Sequence, residues 1–312
     1  MRPRSGGVRR LAVVAALALA VGAVTVAAWA SSPTPAGLQR RVSRSLAAGH
    51  GRPVAVSAVA PILREAVVAT EDERFFRHHG IDVIGVLRAL PYDLAHLSVA
   101  QGASTITEQV AKLVYLGGSD RSPWRKLQEA AVAFKLEDRY SKEQILGAYL
   151  NSAYFGDAAY GIDAASRRYF AVAPRQLDLA QASLLAGLPQ APSADDPFAH
   201  PRAARRRQVA VLRSLVRTGF VTQAEAARAL ARPLRLRDRV VLPAIPRADV
   251  APGPAFVWWE LIVGGALVAA GVAGALLARR RPAGLARVAC LAATAILLVI
   301  GLGTVVRSFR VA

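Results

Sequence analysis

Glu71-Asp72-Glu73-Arg74-Phe75-Phe76-Arg77-His78-His79-Gly80 follows the apolar stretch Ala66-Val67-Val68-Ala69 and sets three acids and two histidines at an expected helix end. A carboxylate emerging from an apolar wall is partly desolvated, which raises its pKa toward the working pH of a general base. Glu71, the first polar group past the apolar stretch and Thr70, is the candidate. A solvated, charged helix terminus is the other reading these ten residues allow. His78 and His79 are adjacent rather than three or four residues apart, so they do not form a helical zinc pair.

Upstream, Pro61 opens an apolar-periodic helix running toward Glu71. Downstream, Gln101-Gly102-Ala103-Ser104-Thr105-Ile106-Thr107-Glu108-Gln109-Val110-Ala111-Lys112 reads as a donor-rich loop entering a helix, suited to phosphate or sugar hydroxyls. It lacks the Gly-Lys-Ser/Thr ending of a P-loop. Glu108 and Lys112 stand four apart on that helix, the favourable order for an ion pair. Ser122-Pro123 predicts an N-cap followed by Arg125-Lys126-Leu127-Gln128-Glu129, with Arg125 and Glu129 on one face. Ser141 with Gln144 and Thr222 with Glu225 have capping-box spacing. A helix from about Asp178 stops at Gly187-Leu188-Pro189, and an Arg- and Ala-rich helical pair follows over 201–238, broken by a Thr-Gly turn at 218–219. Its basic face reads as a solvated or lipid-facing surface. Helix signals outnumber strand signals, so the fold class is mainly α.

In this order, the segments resemble the glycosyltransferase domain of penicillin-binding proteins and of monofunctional peptidoglycan transglycosylases, glycosyltransferase family 51. Glu71, Asp72, Phe75, His78 and Gly80 match its Glu-Asp-x-x-Phe-x-x-His-x-Gly segment. Gly102, Ser104, Thr105, Gln109 and Lys112 match the second, and Arg125, Lys126 and Glu129 the third. Further likeness continues through Ser141–Asn151, Phe155-Gly156, Gly161-Ile162, Tyr169-Phe170 and Leu185–Ser193, so that it spans about residues 55–235. Three positions depart from the pattern: Glu108 replaces a Gln, Leu113 an Asn and Gly147 a common Glu.

The resemblance implies a lysozyme-like bilobal fold acting on lipid II and the growing lipid-linked glycan. Glu71 and Glu129 would be the catalytic residues. Glu71 would be the base for the acceptor 4-hydroxyl in a single, inverting hexosyl transfer that releases undecaprenyl pyrophosphate. Glu129 would support the acceptor or the leaving group, an arrangement that leaves room for a divalent cation, Mg or Mn, although no cofactor is required by the residues themselves. Asp72, Phe75, His78, Ser104, Thr105, Gln109, Lys112, Arg125 and Lys126 would bind substrate, the last two and Lys112 by neutralising diphosphate. A lytic glycosidase and an inactive scaffold are the rival readings; a hydrolase has no diphosphate to neutralise.

The rest of the chain points to a membrane. Lys and Arg number 40 against 21 Asp and Glu, a formal charge of +19. Much of this charge flanks apolar runs, as Arg2, Arg4, Arg9 and Arg10 and again as Arg279, Arg280, Arg281 and Arg287, which is membrane-topology placement rather than a nucleic-acid footprint. A basic stub at 1–10 precedes an uncharged run at 11–30, long enough to cross a hydrocarbon core about 30 Å thick. Its Ala28-Trp29-Ala30 end also has the form of a cleavage site. The expected order continues with a linker at 31–54, a catalytic core at 55–200 and a helical tail with a Pro-containing linker at 201–254. A second span at 255–278, a cytoplasmic turn at 279–287, a third span at 288–306 and a tail at 307–312 follow. The core then lies on the outer face of a bacterial cytoplasmic membrane. The single cysteine, Cys290, rules out an intrachain disulfide. No Ser-x-x-Lys or Lys-Thr-Gly motif occurs, so cross-linking is expected from separate transpeptidases.

Overall fold

The structure, a computed structural model, describes residues 5–48, 51–85, 104–117, 120, 122–246 and 250. Gly102, the two C-terminal spans expected at 255–278 and 288–306, and the turn between them lie outside the described residues. Residues Met1–Ala251 form one compact unit and Pro252–Ala312 another, and all described residues belong to the first.

The expected mainly α class holds. The described residues include helices α1 (Ser5–Ser31), α2 (Leu38–Ala48), α3 (Pro61–Glu71), α4 (Ile106–Val110), α5 (Pro123–Glu137), α6 (Lys142–Ser152), α7 (Ile162–Phe170), α8 (Leu179–Gly187), α9 (Pro201–Arg217) and α10 (Gln223–Leu230). One two-residue antiparallel ladder, β1 (Leu234–Arg235) with β2 (Val241–Leu242), follows them. The helix starts have local causes. Ser122 accepts from the Arg125 N–H with proline at the first turn of α5, and reciprocal capping boxes open α6, α8 and α10 at Ser141, Asp178 and Thr222.

Two groups of helices meet where α3 ends. In the first, α3, α8 and α9 pack on one another through Leu63, Ala66, Val67, Leu184, Leu185, Ala204, Val211, Leu212 and Leu215, all essentially inaccessible. Gly187 permits the close approach, because a Cβ there would sit 2.8 Å from Arg207 Cγ. In the second, α4 packs on α5 and α6 through Ile106, Val110, Val132, Leu136, Ile145 and Tyr149.

Two features of the helix framework differ from the sequence reading. Residues 31–54 were expected to be a linker, yet they contain α2, whose Leu38, Val42 and Leu46 are buried against α6 while Arg40, Arg41 and Arg44 face outward. The basic stretch of α9 is not all surface. Arg205 is 2% exposed and its guanidinium donates to the carbonyls of Pro243, Leu230 and Arg232 and to Gln208 Oε1, stapling the chain after α10 onto α9. Arg205 and Gln208 lie on the same stripe as Ala204, Val211, Leu212 and Leu215, the core-facing side of the helix.

The last turns of α1 dock on α5. Lys135 Nζ donates to the Trp29 and Ser32 carbonyls and to Ser32 Oγ at 2.8, 3.0 and 2.7 Å and lies 4.8 Å from the centre of the Trp29 ring. This ammonium satisfies carbonyls that the helix end leaves open. Side chains of α1 are described at Ala16 and from Leu19 onward. Among the described residues no helix is long and apolar enough to cross a membrane.

Candidate active site

Glu71 is the last residue of α3, and its Oε2 accepts a 2.7 Å hydrogen bond from Gln109 Nε2 on α4. Burial pushes the Glu71 carboxyl above the usual glutamate range; the Gln109 bond and the Arg207 guanidinium oppose the shift, and neighbouring Asp72 adds to it. Arg207 reaches this region from α9 with its Nε held by the Gly187 carbonyl at 3.0 Å. Tyr149, fully buried on α6, contributes a phenol that burial pushes well up, with the Glu71 charge acting in the same direction. Its hydroxyl has no hydrogen-bond partner among the described residues. Sequence reasoning missed both Arg207 and Tyr149. The apolar stripe of α9 was the available signal for the first, since it sets the faces of the 205–208 turn.

Asp72, next in sequence, turns inward. It is 7% exposed, its two oxygens accept from His78 Nε2 at 3.0 and 2.9 Å, and Oδ2 also accepts from the Ile106 N–H at 3.0 Å. The end of α3 is thereby fastened to the start of α4. Phe75 is fully buried against His78, with Lys142 Nζ 4.5 Å from its ring centre. Asp72, Phe75 and His78 were expected to bind substrate. Asp72 and Phe75 are buried, the His78 side chain is 5% exposed, and the Asp72–His78 pair and the Phe75–His78 ring contact tie the three together. Gly80 closes the segment at φ +75°, where a Cβ would come within 3.1 Å of the Phe134 N, and its carbonyl accepts from Thr105 Oγ1 at 2.6 Å. His79 instead bonds the exposed Asp138.

Thr105, 2% exposed, is the N-cap of α4. Its hydroxyl accepts from the Glu108 N–H at 3.1 Å, while Glu108 Oε2 accepts from the Thr105 N–H at 2.8 Å. The helix continues as a π-helical turn over Ala111–Leu116, closed by the Gly117 N–H donating five residues back to the Lys112 carbonyl at 2.9 Å. Such widened turns are rare and concentrate at functional sites. The Lys112 side chain stands exposed near the start of this turn and makes no hydrogen bond or ion pair among the described residues.

The expected Glu108–Lys112 pair is not formed. Glu108, 4% exposed, instead pairs with Lys126 Nζ at 3.1 Å, because its cap role turns the carboxylate back toward the start of α4 and away from Lys112. Lys126 Nζ also meets Glu129 Oε2 at 3.3 Å and Ser104 Oγ at 2.7 Å. Arg125 donates from Nη2 to the Gly117 carbonyl and keeps Nε 4.0 Å from Glu129 Oε1. Glu129 is 8% exposed. The structure thus gathers Ser104, Glu108, Arg125, Lys126 and Glu129 into one cluster and links Gln109 to Glu71 through the same short helix.

No group of three His, Cys, Asp or Glu side chains placed to hold a metal occurs among the described residues. The carboxylates of Glu108 and Glu129 that could serve as ligands already share the Lys126 ammonium. These residues do not fit a divalent-cation site.

Chemically, the arrangement offers one carboxylate of raised proton affinity, a hydrogen-bonded amide that orients it, and cationic side chains on the adjoining helices. The sequence profile of the transglycosylase family matches residues 39–216. A Cupriavidus necator protein named as a candidate transglycosylase is 49% identical over 177 residues, 56% of this chain and 75% of that protein. Penicillin-binding protein 1A of Neisseria flavescens is 46% identical, and that of Neisseria gonorrhoeae 45%, each over 169 residues, 54% of this chain and 21% of the relative. The chain therefore spans about a fifth of the length of those penicillin-binding proteins.

Proposed function

This chain belongs to the transglycosylase family, and from that premise we propose that it is a peptidoglycan glycosyltransferase that polymerises lipid II into glycan strands, releasing undecaprenyl pyrophosphate. The observation that carries the reading is the placement of Gln109 and Glu108 on one short helix. Gln109 holds Glu71, and Glu108 joins the cluster of Arg125, Lys126 and Glu129. In a lysozyme-like cleft between the two helix groups, Glu71 would take the proton of the acceptor 4-hydroxyl as its oxygen attacks the anomeric carbon of the donor. The bond from that carbon to the diphosphate oxygen breaks, the electron pair leaves with the diphosphate, and configuration inverts. Diphosphate is already a good leaving group, so the protein's main contribution on that side is positive charge.

The test is polymer formation from labelled lipid II by the full chain, set against release of fragments from purified cell wall. Fragments without polymer would support the lytic rival, and neither product the scaffold. Lys112→Ala and Arg125→Ala are each expected to lower kcat/KM for lipid II by about tenfold to a hundredfold, the loss of one charge-assisted contact of about 1.5–3 kcal/mol. Unchanged kcat/KM in both would place the diphosphate elsewhere.

The catalytic unit is proposed to sit on the outer face of the cytoplasmic membrane, with α1 as a retained anchor. What supports this is the outward-facing apolar surface of α1, where Leu19, Val21 and Val26 are 75%, 66% and 67% exposed, and its firm docking through Trp29 and Ser32. A periplasm-active reporter fused near residue 240 is expected to be on, and one inserted near Pro282 off. The reverse pattern would overturn the topology.

A further inference from the structure

The Lys126 ammonium has three protons, and the structure supplies three acceptors: Ser104 Oγ at 2.7 Å, Glu108 Oε1 at 3.1 Å and Glu129 Oε2 at 3.3 Å. Two of these are carboxylates with almost no exposure, whereas the Lys126 side chain is 48% exposed on a flexible stem that could otherwise swing outward. Glu108 cannot follow it, because its other oxygen is fixed on the Thr105 N–H by the cap of α4. Lys112, by contrast, is exposed and unpartnered among the described residues. Within the cluster Arg125 and Lys126 are opposed by Glu108 and Glu129, so these four side chains carry no net charge, and Lys112 takes no part in their ion pairs.

We propose that Glu108 is a positioning residue that holds Lys126 against Glu129 and so withholds it from the diphosphate, leaving Lys112 and Arg125 to bear that charge. The inference rests on the glycosyltransferase reading for the identity of the diphosphate. The consequence is a site of moderated anion affinity: the diphosphate is held by fewer cations, and its departure is correspondingly easier.

Glu108→Gln separates this role from the cap. The amide oxygen can still accept from the Thr105 N–H, while an NH2 replaces the oxygen that faced Lys126 and cannot accept from it. Binding of inorganic pyrophosphate to the full chain in detergent, followed by calorimetry in the absence of lipid substrate, is expected to tighten about threefold to tenfold in the variant. Its salt dependence steepens, and KM for lipid II falls in the same sense. Ser104→Ala removes another of the three acceptors without touching the cap side chains and moves pyrophosphate affinity in the same direction by less. Pyrophosphate affinity that is equal in the variants and the unmutated protein, including no binding in any of them, or weaker in the variants, overturns the proposal and leaves Glu108 as a cap residue only. Tightened pyrophosphate binding in a protein that makes no polymer would instead defeat the polymerase reading and leave the positioning role standing.

Discussion

Glu71→Gln is expected to lower polymerisation of lipid II by about 10²–10⁴-fold, the usual contribution of a general base, and at the same time to stabilise the folded protein at neutral pH. The first effect follows from shape kept and function removed: the glutamine can still accept from Gln109 Nε2 through its amide oxygen but cannot take a proton. The second follows from linkage. Burial raises the Glu71 pKa in the folded state, so the folded protein binds that proton more tightly than the unfolded chain does. Stability associated with it is fully present below the unfolded glutamate pKa and is lost as pH rises through the folded value. The glutamine removes that loss. The Tm difference between the variant and the unmutated protein should therefore be close to zero in acid and grow as pH rises to neutrality. The acid limb of kcat/KM in the unmutated enzyme should lie above the ordinary glutamate range and be absent from whatever activity the variant retains. Polymerisation by the variant at the unmutated rate would show that Glu71 only ends a helix.

Local chemistry made most of the helices legible. Pro61, Ser122-Pro123, Ser141, Asp178 and Thr222 each begin a helix where their residue type predicts, because caps and first-turn prolines act within four residues. Gly219 follows α9 at φ +78°, as the Thr-Gly turn suggested. What was not legible depended on partners distant in sequence. Glu108 and Lys112 have ideal helical spacing, but spacing cannot reveal that a capping box commits the glutamate toward Thr105 or that Lys126 arrives from another helix. Arg205 and Arg207 read as surface charge because an arginine-rich stretch usually is, and only the core-facing stripe of α9 shows that Arg205 must be buried. Asp72 and His78 were grouped with substrate contacts by resemblance, and only the structure shows their side chains paired with each other and Asp72 fastened to the start of α4.

That fastening can be tested by removing it. Asp72→Ala strips the acceptor from His78 Nε2 and from the first backbone N–H of α4, leaving two buried donors without a partner. The His78 ring has no second bond to fall back on, since its Nδ1 is also buried and unpartnered among the described residues. An orphaned buried donor costs about 1–3 kcal/mol, so a total near 2–4 kcal/mol is expected, roughly 5–15 °C in Tm for a domain of this size. Polymerisation should fall with it even below the melting range, because Asp72 is the fastening between the helix that ends in Glu71 and the one that presents Gln109. Asp72→Asn keeps one acceptor oxygen and should lose less of both. The two readings of Asp72 then separate cleanly. If Asp72→Ala abolishes activity while Tm stays unchanged, the carboxylate touches substrate as the resemblance implied; if Tm and activity fall together and Asp72→Asn recovers part of each, its role is to position the base through α4.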